Sequence, residues 1–332
     1  MSAAFETVGV IGGGAWGTAL AAVAARAGRD VVLWARDGET VAAINRAHVN
    51  RRYLPEIPLE EAIRATGTLG EAVRCDVLVL AVPAQTVRAV TGTLVAHSRA
   101  GQPVVIAAKG LERASGAFMA DVVTEELPGC LPAVLSGPSF AADVARGLPT
   151  AVTLACSEPE IGARLVETFG QPAFRPYRST DIVGTQIGGA VKNVLAIACG
   201  IVEGRGLGAS AHAALIARAF AEMRRLGEAL GARPETLAGL AGLGDLVLTG
   251  TSRQSRNFRF GIALGEGGSI EAALGQAAVT EGVWTAPAVV ARAAMLGIEM
   301  PISAAVASVL DGRADVETAI QGLLARPFRE EG

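Results

Sequence analysis

Lysine is almost absent from this 332-residue chain: of its 29 basic residues, only Lys109 and Lys192 are not arginine. Arginine keeps its proton in a protein, whereas lysine is a compact donor whose pKa falls on burial, so only lysine can hand over a proton near neutral pH. Composition leaves two readings of the pair open, groups kept for proton chemistry or two structural lysines. Other shortages exclude whole classes. Charged residues make up 18% with a net charge of −3, so no basic face is available to release counterions from nucleic acid, and no such partner is expected. The four cysteines (Cys75, Cys130, Cys156, Cys199) stand singly among mostly apolar neighbours. None has the C-x-x-C spacing of a zinc or redox site, so they read as reduced small hydrophobes and no metal is expected. The N-terminal stretch lacks the basic region of a signal peptide. The most apolar later stretch, 187–202, is interrupted by Lys192 and Asn193 and falls short of the ~20 residues of a bilayer span. A soluble, cytoplasmic chain with no membrane insertion is the expectation.

What is plentiful is hydrophobic, 51% of residues, without a repeat or a low-complexity tract. The length suits two cores. In the first half, apolar runs at 7–11, 31–35, 77–82, 104–107, 133–135 and 151–155 read as strands buried on both faces. Ala-rich stretches at 16–27, 40–47, 86–96 and 116–126 read as helices between them. This alternation predicts a parallel, doubly wound α/β sheet. Beyond about residue 178 the strand signal ends. Ser179, Thr180 and Asp181 are N-cap candidates for a helix to about 203, and further helices are predicted at 209–230, 253–265, 285–296, 303–311 and 315–325. The expected architecture is a Rossmann-type domain, 1–178, then an all-α domain, 179–332, with a ligand cleft between them.

The strand at 7–11 runs into Gly12-Gly13-Gly14-Ala15-Trp16-Gly17 and then a helix, which is G-x-G-x-x-G in a strand-turn-helix setting. Gly12 permits the tight turn, Gly14 lets backbone approach a pyrophosphate, and Gly17 lets helix and strand pack closely. Cofactor choice is read after the second strand, at Arg36-Asp37. Arg36 suits the 2'-phosphate of NADP, while Asp37 would be the ribose acceptor for NAD if the strand ended one residue later. NADP is favoured and both are allowed.

Ligands of open α/β sheets sit beyond the carboxyl ends of strands, and there the chain places Lys109 and the loop Gly137-Pro138-Ser139-Phe140-Ala141. Lys192 and Asn193 interrupt an apolar helix, a costly placement without partners or work. Gly188 lies one turn before Lys192 on the same face, which predicts room for substrate or nicotinamide there. Burial should depress the Lys192 pKa towards that of a general acid; a structural pairing with a carboxylate is the alternative. Asp245, then Ser255, Arg256 and Asn257 at a likely helix start, offer an acid and phosphate-type donors.

Together these motifs are recognisable. Eight segments in order (IGGGAWGTALA, NRRYLP, AVPAQ, AKGLE, LSGPSFA, GGAVKNVLA, AGLGDLVLT and SRNFRFG) make nearly the whole chain resemble bacterial NAD(P)-dependent glycerol-3-phosphate dehydrogenase. The resemblance implies a homodimer that interconverts dihydroxyacetone phosphate and sn-glycerol 3-phosphate, supplying glycerol phosphate for phospholipid synthesis. It implies Lys192 as general acid/base, with Lys109 and Asp245 beside it. Substrate would be met by these three and by Gly137, Ser139, Asn193, Ser255, Arg256 and Asn257. Cofactor would be met by the glycine turn with Ala15 and Trp16, by Arg36, Lys109, Ala141 and Arg256, and by Val279 and Glu281. The chain departs from the family in having Ala15 where Ser is commoner. The alternatives are a β-hydroxyacid-type or ketopantoate-type dehydrogenase, whose substrates carry a carboxylate, and a non-catalytic nucleotide sensor, which has no need of a proton donor.

Overall fold

The computed structural model of the chain describes residues 3–276, 280–328 and 330. Strand β1 (Thr7–Ile11) passes through the glycine turn into helix α1 (Ala15–Arg26), and β2 (Asp30–Trp34) returns parallel to β1, pairing Thr7 with Asp30 and Ile11 with Trp34. Helix α2 (Gly38–Ala47) leads to a small antiparallel hairpin, β3 (Val49–Asn50) and β4 (Leu54–Pro58), and then to β5 (Ile63–Thr66). Helices and strands then alternate: α3 (Leu69–Val73), β6 (Val77–Leu80), α4 (Val87–Leu94), β7 (Pro103–Ile106), α5 (Met119–Glu126) and β8 (Leu131–Ser136). The sheet is finished by α6 (Ala141–Ala145), β9 (Thr150–Cys156), α7 (Pro159–Phe169) and β10 (Phe174–Ser179). Its order is β10-β9-β8-β7-β6-β1-β2-β5.

The continuous apolar runs follow from burial on both faces. Val77, Val79 and Val105 enter the core on one side of the sheet, while Leu78, Leu80, Val104 and Ile106 enter the core on the other, the two-residue period of a strand expressed with no polar face. The expectation of a wholly parallel sheet needs correction at one pair, since β8 and β9 are antiparallel. Ser136 at the end of β8 pairs with Thr153 and Ala133 with Cys156, so after α6 the chain re-enters the sheet from the end at which β8 left it. The sequence patterns also passed over β5 and β10, the two edge strands, and β10 (FRPYRS) carries two arginines and a proline. An edge strand tolerates charge and proline on its open side, which erases the apolar run.

From Ile182 onwards the described residues form helices: α8 (Ile182–Gly204), α9 (Gly208–Ala229), α10 (Pro234–Ala238), a π-helical turn at Leu240–Gly244, α11 (Asp245–Thr251), α12 (Arg256–Gly265), α13 (Ile270–Gln276), α14 (Glu281–Met295), α15 (Pro301–Leu310) and α16 (Val316–Leu324). Two of these start three or more residues from where the pattern indicated. Helix α12 begins at Arg256, where the Ser255 hydroxyl accepts from Phe258 N at 3.2 Å, and α14 begins at Glu281. Helix α8 is the centre of this half, with α9, α11, α12 and α14 packed around it. At 23 residues it is long and apolar enough to cross a bilayer, against the expectation that the stretch falls short. Yet 83% of its apolar window is buried inside the protein, the property of a core helix.

Two carboxylates pin this arrangement by capping. Glu222 of α9 is 1% exposed and accepts from the first-turn amides of α15, among them Ser303 N at 3.1 Å. Asp181 Oδ1 caps α8 through Gly184 N at 2.8 Å, while its Oδ2 accepts from Arg233 N, the N-cap residue of α10, also at 2.8 Å. Asp181→Ala orphans both amides and should cost about 2 kcal/mol of stability, read as a lower urea midpoint with an unchanged m-value; an unchanged midpoint would show that water replaces the cap freely.

Candidate active site

Helix α1 begins at a turn built for close backbone approach. Gly12 has φ +124°, which L side chains rarely adopt, and a Cβ on Gly17 would overlap the Gly12 carbonyl oxygen. Nothing lies within 4 Å of where a Gly14 side chain would start, and Gly14 as N-cap offers α1 no side-chain oxygen. The first amides of α1, from Ala15 and Trp16 on, are therefore left for an anion, and a dinucleotide pyrophosphate fits them. Past β2, Arg36 is exposed and makes no hydrogen bond or ion pair among the described residues. Asp37 instead caps α2, accepting from Thr40 N at 3.1 Å and Thr40 Oγ1 at 2.6 Å. The Thr40 bonds outweigh the small desolvation and hold its carboxyl below the usual range.

At the other end of the cleft the chain's two lysines meet on one carboxylate. Lys109 follows β7, Lys192 is midway along α8, and Asp245 opens α11. Lys192 Nζ donates to Asp245 Oδ1 at 2.7 Å, and Lys109 Nζ to Asp245 Oδ2 at 2.6 Å. Lys192 also donates to Thr249 Oγ1 at 2.7 Å, and Lys109 to the Gly137 carbonyl at 3.2 Å. An ammonium has three N–H groups, so each lysine keeps one uncommitted by these contacts. Burial lowers the Lys192 pKa to about 8; the Asp245 carboxylate opposes the fall, and Lys109 and Arg256 add to it. Burial works against the charge on Asp245 as well, but the two ammonium groups outweigh it and keep that carboxyl below its ordinary value.

The other candidate residues surround this triad in different ways. Ser139 donates to the Gly137 carbonyl at 2.9 Å, and Ala141 is the first residue of α6. Asn193 is a connector: its amide donates to Lys109 O at 3.3 Å and Gly189 O at 3.4 Å, and its oxygen accepts from Asn257 Nδ2 at 3.0 Å. Asn257 Oδ1 in turn accepts from Gly282 N at 3.0 Å, so α8, α12 and α14 are tied together directly beneath the lysines. Arg256 is exposed and donates no hydrogen bond among the described residues, but its charge is felt at Lys192 and Glu281. Glu281 accepts from Ala84 N at 3.1 Å, clasping the helical half to the loop after β6, and its other oxygen is buried with no hydrogen-bond partner among the described residues. Burial raises its pKa, and the Ala84 amide and Arg256 offset part of the rise. Val279 lies outside the described residues.

Two features differ from the sequence reading. Thr249 was passed over, though it stands four residues after Asp245 and so on the same helix face; its hydroxyl donates to Asp245 Oδ1 at 3.2 Å while accepting from Lys192. The expected space beside Gly188 is filled: a Cβ there would overlap the Ala241 carbonyl oxygen. The glycine lets α8 press on the π-helical turn that sets the position of Asp245, a place where such turns recur in functional sites.

With the geometry in view, comparison with known proteins gives one answer. Two family models match in sequence order, NAD-dependent glycerol-3-phosphate dehydrogenase N-terminus over residues 7–162 and its C-terminus over residues 181–321. A Maricaulis maris protein named glycerol-3-phosphate dehydrogenase (NAD(P)+) is 56% identical over 98% of this chain and 98% of its own length. A Caulobacter vibrioides protein of the same name is also 56% identical, over 98% of this chain and 99% of its own. The crystal structure of a Coxiella burnetii glycerol-3-phosphate dehydrogenase superposes with TM-score 0.92 at 40% identity, covering 97% of this chain and 99% of that one.

Because Gly188 seats the turn before Asp245, Gly188→Ala should displace the carboxylate and lower kcat by about 100-fold, the cost of a misplacement near 1 Å, with cofactor affinity unchanged by fluorescence titration. A full-speed variant would show that the turn does not position the site.

Proposed function

The chain belongs to the NAD-dependent glycerol-3-phosphate dehydrogenase family, and on that premise we propose a division of labour among the residues of its cleft. The enzyme interconverts dihydroxyacetone phosphate and sn-glycerol 3-phosphate with NAD or NADP. The observation that carries the site assignment is the sharing of Asp245 by Lys109 and Lys192. When bound in this cleft, a nicotinamide would supply hydride chemistry at the substrate carbonyl carbon. Lys192, lowered to about 8 by burial, gives its proton to the oxygen that becomes an alkoxide. Lys109 offers its uncommitted N–H to that oxygen, in a site where water is largely excluded and the field is strong. Asp245 has both oxygens on the lysines, so it orients the proton donor and keeps two ammonium groups together without net repulsion. Thr249 fixes Lys192 from the far side.

Arg256 is the free cation beside the triad and takes the substrate phosphate, with the spare Asn257 N–H at its side. The turn at Gly12, Gly14 and Gly17 holds the pyrophosphate, with Ala15 and Trp16 contributing backbone. Glu281 and Ala141 border the nucleotide. NADP is the preferred cofactor on this reading, because Asp37 is engaged in capping α2 while Arg36 is free. The division falls at about residue 178, and both halves contribute to the cleft: Lys109 from the first half serves the substrate and Glu281 from the second borders the nucleotide. The enzyme works as a cytoplasmic homodimer without membrane insertion, supplying glycerol phosphate for phospholipid synthesis; the burial of α8 and the family premise support this. A carboxylate-bearing hydroxyacid or ketopantoate is the less favoured substrate.

The decisive assay follows NADPH and NADH oxidation with dihydroxyacetone phosphate beside unphosphorylated dihydroxyacetone. Turnover should require the phosphate; equal turnover without it would remove the phosphate-binding role of Arg256. Lys192→Ala should lower kcat by about 1,000-fold with cofactor affinity retained.

The pH dependence has a definite sign. Reduction needs the Lys192 ammonium, so kcat/KM should hold below about 8 and fall above it, while oxidation, which needs the free amine, rises through the same range. Asp245→Asn removes the charge that holds the Lys192 pKa up, so both limbs should move to lower pH. Limbs that move upwards would mean that another group titrates.

A further inference from the structure

Beside the glycine turn stands a feature that the reaction chemistry leaves unused, the tip of the β3–β4 hairpin. Asn50, fully buried at its base, donates to the Gly13 carbonyl at 3.0 Å and to Thr18 Oγ1 at 2.8 Å, and accepts from Tyr53 N at 3.3 Å. The tip, Arg51-Arg52-Tyr53, is thereby fixed to the turn and to α1, although all three residues are exposed. The turn itself is pressed onto the end of β2: Gly12 N donates to Trp34 O at 3.1 Å, and a Cβ on Gly13 would run into the Ala35 side chain. Hairpin tip, glycine turn and the Arg36-Asp37 segment therefore form one continuous rim. Across that rim the Arg52 guanidinium stands 3.8 Å from Asp37 Oδ2 and 5.5 Å from the centre of the Tyr53 ring.

The charges on this rim decide what it can hold. Asp37 is the only carboxylate at the position where an acid would accept ribose hydroxyls, and the same Oδ2 is shared by the Thr40 amide, the Thr40 hydroxyl and Arg52. Arg36 has no partner among the described residues. Arg36, Arg51 and Arg52 against the engaged carboxylate of Asp37 and the exposed Glu39 in the first turn of α2 leave a net positive rim, complementary to a phosphate dianion and not to a neutral diol. We propose that Arg52, carried by the hairpin and not by the Rossmann strands, is a second specificity-determining residue that grips the adenosine 2'-phosphate of NADP(H) together with Arg36. At 3.8 Å the pair with Asp37 is loose and exposed, so little is lost when the guanidinium turns from the carboxylate to a phosphate. This rests on the NADP preference stated above, and its failure is separable from the failure of that preference.

The test is titration of the full-length enzyme with NADPH and with NADH, followed by nicotinamide fluorescence, for the parent, Arg52→Ala, Arg52→Lys and Arg36→Ala. Loss of one charge-assisted contact should weaken NADPH about ten-fold in Arg52→Ala and move NADH less than about two-fold, with Arg52→Lys recovering part of the loss because it keeps the charge without the fork. If the parent binds both dinucleotides equally, the NADP preference itself fails. If the parent prefers NADPH, and Arg36→Ala abolishes that preference while Arg52→Ala keeps it, the preference stands and the role of Arg52 is overturned. Equal weakening of both dinucleotides in Arg52→Ala would also overturn it, by showing damage to the hairpin and not loss of a phosphate contact.

Discussion

A single buried carboxylate shared by two ammonium groups is the constraint around which this structure is arranged. Asp245 is 1% exposed, and a charge so placed is tolerable only when paired and hydrogen-bonded. Its partners come from residues 109 and 192, far apart in the chain. Meeting both demands that the carboxyl end of β7, the middle of α8 and the start of α11 converge on one point. The sheet, the crossing of α8 over the π-helical turn and the Asn193–Asn257–Gly282 chain beneath it are the means of that convergence. The burial that makes the charges costly is also what brings Lys192 to about 8.

The cofactor end obeys a complementary logic. There the chain withholds side chains: a glycine cap leaves the amides of α1 unsatisfied, and the one acid near the ribose position is consumed in capping α2. Backbone is left open at the turn, and Arg52 is carried beside it on a hairpin whose base is anchored there. The hydrogen bond from the Ala84 amide to Glu281 ties the two halves together between these ends.

Much of this could be read in the residues. The alternating apolar runs gave the doubly wound sheet, because strands buried on both faces must be apolar throughout. The scarcity of lysine singled out Lys109 and Lys192 before any coordinate was known. The edge strands β5 and β10 escaped notice because an open edge permits arginine and proline. Thr249 escaped because a threonine in an apolar helix looks like any other until the partner helix is placed against it. The reading of Gly188 as an opening for ligand went wrong for a related reason. A glycine marks a close approach, but the sequence does not say whether ligand or backbone makes it.

The sequence by itself determined the fold class, the glycine turn and the two rare lysines, since each depends on local periodicity, on backbone conformations open only to glycine, or on the identity of a rare residue. Only the tertiary structure decided how these residues are arranged. That both lysines share one carboxylate, that Asn193 ties α8 to α12 and that the hairpin bearing Arg52 is anchored in the glycine turn are facts of distance between segments remote in the chain. Hydrogen bonds and desolvation act through space over a few ångströms, and no spacing along the sequence encodes them.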